Sequence, residues 1–169
     1  MGCLSLKCSM AAAPFDPALM DVALEEARLG LAEGGLPIGA VIARLDGTVL
    51  GRGHNRRVQD GDPTCHGETD AARKAGRHDF SGAVLYTTLS PCAYCVELVL
   101  LLRIPTVVIG ESRTFPGMPD RLRRAGVEVV DLDDARCVAM MERFIEEHPE
   151  LWNEDIGVAE GGSAAYARS

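Results

Sequence analysis

Long apolar runs are missing from this chain. The longest strongly apolar stretch, 96–102, is interrupted by Glu97 and falls far short of the roughly 20 residues that a bilayer requires. No membrane span is expected. Positive charge is also scarce, with 17 Lys and Arg against 25 Asp and Glu and a net charge of −8. That sign disfavours a protein that holds a phosphate backbone by charge, so nucleic acid is not an expected partner. Cysteine, at six in 169 residues, is too sparse for a disulfide scaffold. Cys3, Cys8, Cys65 and Cys137 are expected to be reduced thiols of a cytoplasmic protein, whereas Cys92 and Cys95 stand at a spacing that suits a metal better than a bridge. The segment 1–13 has one Lys and too short an apolar run for a signal peptide, and Leu6 stands where myristoylation takes Ser or Thr.

Hydrophobic residues at 47% and charged residues at 25% are the mix of a folded globular chain. The length suits one domain with a real core. The expected division is a flexible end over 1–14, a domain over 15–157 and a disordered tail over 158–169. Asp16-Pro17 predicts a helix start, and the helix runs to 33, where Gly34-Gly35 ends it. Strands over 38–44 and 48–50, joined by Asp46-Gly47, predict an antiparallel hairpin. Glycines and a proline over 51–65 then predict a loop that carries His54 and Asn55, with His54 as an ordinary loop-holding histidine. A helix over 67–75, a strand over 83–89, the break Ser90-Pro91 and a helix over 92–102 follow. That last helix is apolar on nearly every face, which predicts burial on all sides. A strand over 106–109, a short helix near 120–124, a strand over 127–130 and a helix over 134–147 complete an alternating pattern, hence the α/β class. Beyond Pro149 the sequence leaves open whether 149–157 is a lid over the site or a helix packed on the core.

Two segments carry chemistry: His66-Gly67-Glu68, and Pro91-Cys92-Ala93-Tyr94-Cys95 about one βα unit later. Both open helices. Cys92 and Cys95, three apart, share a helix face and can offer two sulfurs to one ion, with His66 as a third ligand. Two sulfurs and one nitrogen favour zinc over magnesium or calcium. Three protein ligands leave a tetrahedral position for water, the mark of a catalytic site, and Glu68 is placed to handle the proton of that water. The alternative is a closed structural site with a fourth cysteine. Cys65 is the neighbour that could compete, but adjacent residues at a helix start do not face one point.

The order His-x-Glu followed by Pro-Cys-x-x-Cys resembles the signature of zinc nucleobase deaminases. The likeness extends over about 16–157, through Glu33-Gly34-Gly35-Leu36-Pro37-Ile38-Gly39, Leu50-Gly51-Arg52-Gly53-His54-Asn55, Leu85-Tyr86-Thr87-Thr88-Leu89-Ser90-Pro91-Cys92, Gly110-Glu111 with Phe115, and the stretch 152–157. The chain thereby resembles the yeast-type cytosine deaminases of the cytidine deaminase superfold. That resemblance implies a three-layer α/β/α fold around a central mixed five-stranded sheet, one zinc per chain and a homodimer. It implies hydrolytic deamination of a free base, first cytosine to uracil and ammonia, with water as co-substrate and a place in pyrimidine salvage. Isocytosine, triazine, guanine-like or creatinine-like bases are the alternatives, and tRNA adenosine a further one. On this likeness Glu68 is the catalytic residue and His66, Cys92 and Cys95 are the ligands. Asn55 and Asp155 bind the ring's polar edge, the backbone of Gly67 and Ser90 completes the rim, and Phe115, Trp152, Ile38 and Leu89 form apolar walls. The chain departs from the yeast-type pattern at Thr69-Asp70 after Glu68 and at Ala93 between the cysteines, which leaves the base open. A zinc-stabilised binding module, which would not need Glu68, is the reading outside enzymes.

Overall fold

The computed structural model of the chain describes residues 15–158. The expected end over 1–14, with Cys3 and Cys8, and the tail beyond Val158 lie outside the described residues. Helix α1 spans Ala18–Ala32, with Pro17 rather than Asp16 at its N-cap, and Asp16 Oδ1 accepts the Ala18 N–H at 3.0 Å just ahead of it. Strands β1 (Gly39–Arg44) and β2 (Val49–His54) form the expected antiparallel hairpin, with Gly47 at φ +87° in the turn. Helices α2 (Arg57–Asp60) and α3 (Gly67–Ala75) follow, then β3 (Ala83–Leu89), α4 (Ala93–Leu102) and β4 (Thr106–Glu111). The chain continues through α5 (Pro119–Arg124), β5 (Glu128–Asp131), α6 (Ala135–Glu147) and α7 (Pro149–Asp155).

The strand order is β2-β1-β3-β4-β5, antiparallel between β2, β1 and β3 and parallel between β3, β4 and β5. This is the mixed five-stranded sheet. Alternation along the strands divides the core into two layers. Ile42, Leu85, Val107 and Ile109 pack on Ala71 and Ala75 of α3, Val96 and Val99 of α4 and Leu122 of α5. Val41, Ala43, Val84, Tyr86 and Val108 turn the other way, onto Leu19, Met20, Ala23 and Leu24 of α1 and Cys137 of α6. Helices therefore cover both faces, an α/β/α sandwich. Strand β3 is buried along its whole length, as a central strand between two helical layers must be.

Two expectations about local structure are corrected. The segment after Leu50 is not loop throughout, because β2 continues to His54 and α2 follows it. Gly51 and Gly53 are strand residues whose missing side chains let α3 approach. A Cβ on Gly51 would stand 2.3 Å from Ala71 O, and one on Gly53 would stand 2.4 Å from Asp70 Oδ2. His54 is accordingly buried at a strand end, with Glu26 at 2.9 Å from Nδ1 and Glu33 at 3.1 Å from Nε2. Helix α4 is not buried on all sides either. Cys95, Val96 and Val99 face inward, but Tyr94 is 50% and Leu101 77% exposed.

Candidate active site

The site lies where β3 ends and α3 and α4 begin. The close approach of α3 to β2 fixes the start of that helix beside the start of α4, so both helix N-termini point at one spot with their partial positive charge. His66 is the N-cap of α3, and its backbone N–H donates to Thr69 Oγ1 at 2.8 Å. Cys92 is the N-cap of α4, and Cys95 lies one turn inside it. His66 Nδ1 is 3.6 Å from Cys92 Sγ and 3.6 Å from Cys95 Sγ. A tetrahedral zinc with ordinary Zn–S and Zn–N bonds requires an N···S edge of roughly 3.5 Å, so the donor set fits that ion. The first thiol of the pair to ionise is that of Cys92. It accepts from Cys95, which outweighs its burial, and with His66 alongside its pKa is held down to about 4.

Glu68 points into the same space from the first turn of α3. It is 4% exposed, with Oε1 accepting from Thr87 Oγ1 at 3.2 Å and Oε2 lying 3.3 Å from Cys95 Sγ. Burial pushes its carboxyl above the usual carboxylate range, which suits a group that must both take and return a proton. Among the described residues, His66, Cys92 and Cys95 form the one His/Cys/Asp/Glu cluster close enough for a metal. Among the described residues, no fourth cysteine closes the site. Cys65 is buried beside Arg73, and Cys137 packs against the opposite face of the sheet.

A cavity of about 390 Å³ opens onto this cluster. Its lining includes Ile38, Asn55, His66, Glu68, Leu89, Ser90, Cys92, Phe115, Trp152 and Asp155, which brings together all but two of the residues that the sequence selects. The exceptions are Cys95, buried behind Cys92, and Gly67, which does not line the cavity although it is buried at the α3 start. Asn55 Nδ2 donates to Asp155 Oδ1 at 3.4 Å across 100 residues of sequence. Burial pushes the Asp155 carboxyl up, while His66 and Arg57 oppose it. Phe115 and Trp152 meet edge to face at 6.0 Å and 89°, forming one apolar corner. Ser90 is engaged on two sides, its N–H by Glu111 O at 2.9 Å and its hydroxyl by Pro116 O at 2.9 Å. Buried Glu111 in turn accepts from the N–H groups of Arg113 at 2.6 Å and Thr114 at 3.0 Å, which pins the loop that carries Phe115.

Sequence reasoning missed Arg57, Pro63, Thr64, Tyr94, Ile156 and Gly157, which also line the cavity. Tyr94 was legible from its place between the two cysteines, and its ring meets His66 at 5.8 Å and 82°. The three departures from the yeast-type pattern do not touch the cavity. Thr69 caps α3, Asp70 is buried against Arg73 at 2.9 Å and Lys74 at 2.7 Å, and Ala93 opens α4.

Helix α7 is a packed element. Trp152 is 6% exposed in a cluster with Leu36, Ile38, Leu89, Phe115, Met141 and Phe144. Truncation after Pro149 is therefore expected to lower the melting temperature by about 10 °C, since loss of a buried Trp alone costs about 3–5 kcal/mol. It also removes Asp155 from the cavity. Calorimetry of the truncated protein checks this, and an unchanged melting temperature would leave α7 as a cover with no packing role.

Residues 14–111 match the family model for the cytidine and deoxycytidylate deaminase zinc-binding region. The chain belongs to this family. The deaminase is 45% identical over 141 residues to the cytosine deaminase of Candida albicans, covering 82% of this chain and 94% of that protein. It is 38% identical over 107 residues to a tRNA-specific adenosine deaminase of Streptococcus pyogenes, covering 61% of this chain and 67% of that protein. Among solved structures, a tRNA:A34 deaminase has TM-score 0.64 at 28% identity and covers 74% of this chain and 99% of its own. The guanine deaminase from Nitrosomonas europaea has TM-score 0.67 at 22% identity, covers 77% of this chain and 85% of its own, and shows the fold alone. The deaminase is a zinc-dependent hydrolase that acts on a C–N bond of a heterocyclic base. No helix among its described residues is long and apolar enough to cross a membrane.

Proposed function

We propose that the deaminase converts free cytosine and water to uracil and ammonia. The observation that carries this reading is the meeting of Asn55 and Asp155 at the polar edge of a cavity whose floor is His66, Cys92 and Glu68. The 45% identity to a cytosine deaminase over most of both chains supports the choice of base. His66, Cys92 and Cys95 hold the zinc, which when bound supplies Lewis-acid activation of water. Glu68 takes a proton at Oε2, on the side of the cluster, while Thr87 holds Oε1. It returns that water proton to the ring nitrogen beside the amino-bearing carbon, then takes the proton of the hydroxyl added to that carbon and passes it to the amine as the C–N bond breaks, leaving the carbonyl and ammonia. Asn55 and Asp155 bind the carbonyl and the N–H groups of the ring, because an unpaired buried polar group costs about 1–3 kcal/mol. With its N–H and hydroxyl engaged, Ser90 offers its carbonyl oxygen, and the backbone of Gly67, buried at the first turn of α3, completes the rim. Ile38, Leu89, Phe115 and Trp152 exclude water and stack on the ring.

A panel of cytosine, isocytosine, guanine, a triazine, creatinine, cytidine and tRNA, followed for ammonia release, tests the assignment. Cytosine is expected to exceed cytidine by about 100-fold or more in kcat/KM, because the sugar occupies the nitrogen that Asp155 reads. Comparable values for the two would remove Asn55 and Asp155 from base recognition. Inosine formation in tRNA would move the substrate to nucleic acid, which the net charge of −8 disfavours.

We further propose a homodimer joined through the exposed apolar face of α4, where Tyr94 and Leu101 face solvent. A cytoplasmic setting and a place in pyrimidine salvage complete the proposal, supported by the free thiols of Cys65 and Cys137 and by the chemistry of a free base.

A further inference from the structure

Arg57 touches both Asn55 and Asp155. Its backbone N–H donates to Asn55 Oδ1 at 3.0 Å. A backbone N–H can only donate, so this bond fixes which end of the carboxamide is oxygen and turns Nδ2 toward Asp155. The guanidinium reaches across to the end of α7, with Nη2 at 3.3 Å from Glu154 Oε1 and Nη1 at 3.9 Å from Asp155 Oδ1. Among the described residues, the side-chain contacts of Asp155 with Asn55 and Arg57 both fall on Oδ1. Oδ2 is thus the oxygen that a ligand N–H can claim. The preceding arginine plays no such part, since Arg56 turns away to Asp60 at 2.9 Å and Glu33 at 3.2 Å. The Arg57 side chain is 19% and that of Asp155 8% exposed, so this pair is screened less than the one to Glu154, whose side chain is 64% exposed.

From this arrangement we infer that Arg57 is a positioning residue for base recognition. Its main chain sets the Asn55 carboxamide, and its guanidinium clamps the C-terminal end of α7 so that Asp155 presents Oδ2 to the N–H edge of the base. Arg57 takes no part in bond making or breaking. The inference rests on the proposed reading of Asn55 and Asp155 as the base-binding pair.

Arg57→Gln removes the guanidinium and keeps the backbone N–H, and Arg57→Lys restores one cation. Trp152 is the single Trp of the chain and lies one turn before Asp155, so its fluorescence reports the seating of α7 independently of turnover. In Arg57→Gln the KM for cytosine is expected to rise about tenfold with kcat within about twofold of wild type. Zinc content and melting temperature stay unchanged, and acrylamide quenches Trp152 more readily. Arg57→Lys recovers part of the KM. Two results would overturn the inference: wild-type KM and quenching in Arg57→Gln, or a joint fall of zinc content, melting temperature and kcat, which marks a merely structural role. Wild-type turnover of cytosine is measured first. If it is absent, the proposed substrate falls, while the quenching comparison still decides whether Arg57 seats α7.

Discussion

Glu68→Gln is expected to bind zinc at the wild-type stoichiometry and to lose roughly three orders of magnitude in kcat. The metal should stay because Glu68 lies outside the His66, Cys92 and Cys95 cluster. The fold should stay because the substitution is isosteric, and the amide oxygen can still accept from Thr87 where Oε1 does now, at 3.2 Å. What disappears is a group that can take and return a proton. Positioned general acid–base catalysis contributes about 10²–10⁴-fold, and a thousandfold loss corresponds to about 4 kcal/mol of barrier. Metal analysis together with single-turnover ammonia release gives the answer. Wild-type-like turnover would take Glu68 out of the mechanism.

Cys92→Ser carries the second large effect, a joint loss of metal, stability and activity. Cys92 supplies one of the two sulfurs of the cluster, from the N-cap position of the helix whose first turn also carries Cys95. Serine offers a hydroxyl where the site needs a thiolate, so occupancy should fall well below one zinc per chain. Because zinc binds the folded state and its ligands are assembled only there, losing it should lower the melting temperature by about 10 °C. Cys65→Ser is the control. Its thiol is buried beside Arg73 and does not belong to the cluster, so zinc content should be unchanged. Full zinc in Cys92→Ser would sink the ligand assignment.

Most of the architecture was legible because hydrophobic period and punctuation agree for α1, the β1–β2 hairpin, β3, β4 and α6. Gly51 and Gly53 misled for a physical reason. Glycine marks both loops and strands on which a helix lies too close for a Cβ, and the helix that needs the room, α3, starts 14 residues after Gly53. The composition of α4 misled differently. Apolar residues on every side predicted complete burial, yet Tyr94 and Leu101 remain exposed in the monomer. At the site, the metal ligands were readable because helical spacing places Cys92 and Cys95 on one face and Glu68 beside His66. The pairing of Asn55 with Asp155 was not readable from spacing, because only the fold brings residues 100 apart to 3.4 Å, and it entered through family resemblance. Arg57 gave no signal at all. It is one of two consecutive arginines, and only side-chain direction separates them.

The two aromatic walls of the cavity are anchored by unlike means, and this bears on redesign for other bases. Phe115 sits on a loop whose backbone N–H groups are tied to the buried Glu111 carboxylate and which packs against Ser90 through Pro116. A larger side chain or a shifted backbone there would disturb the strand end that leads into Cys92. Trp152 sits on a seven-residue helix whose polar ties to the cavity are Asn55 and Arg57 holding Asp155, and Arg57 holding Glu154. Enlarging the binding site toward a bicyclic base is therefore a task for the α7 side. Libraries confined to 151–157 can change the shape of the cavity while the metal centre and its supporting strand ends keep their geometry.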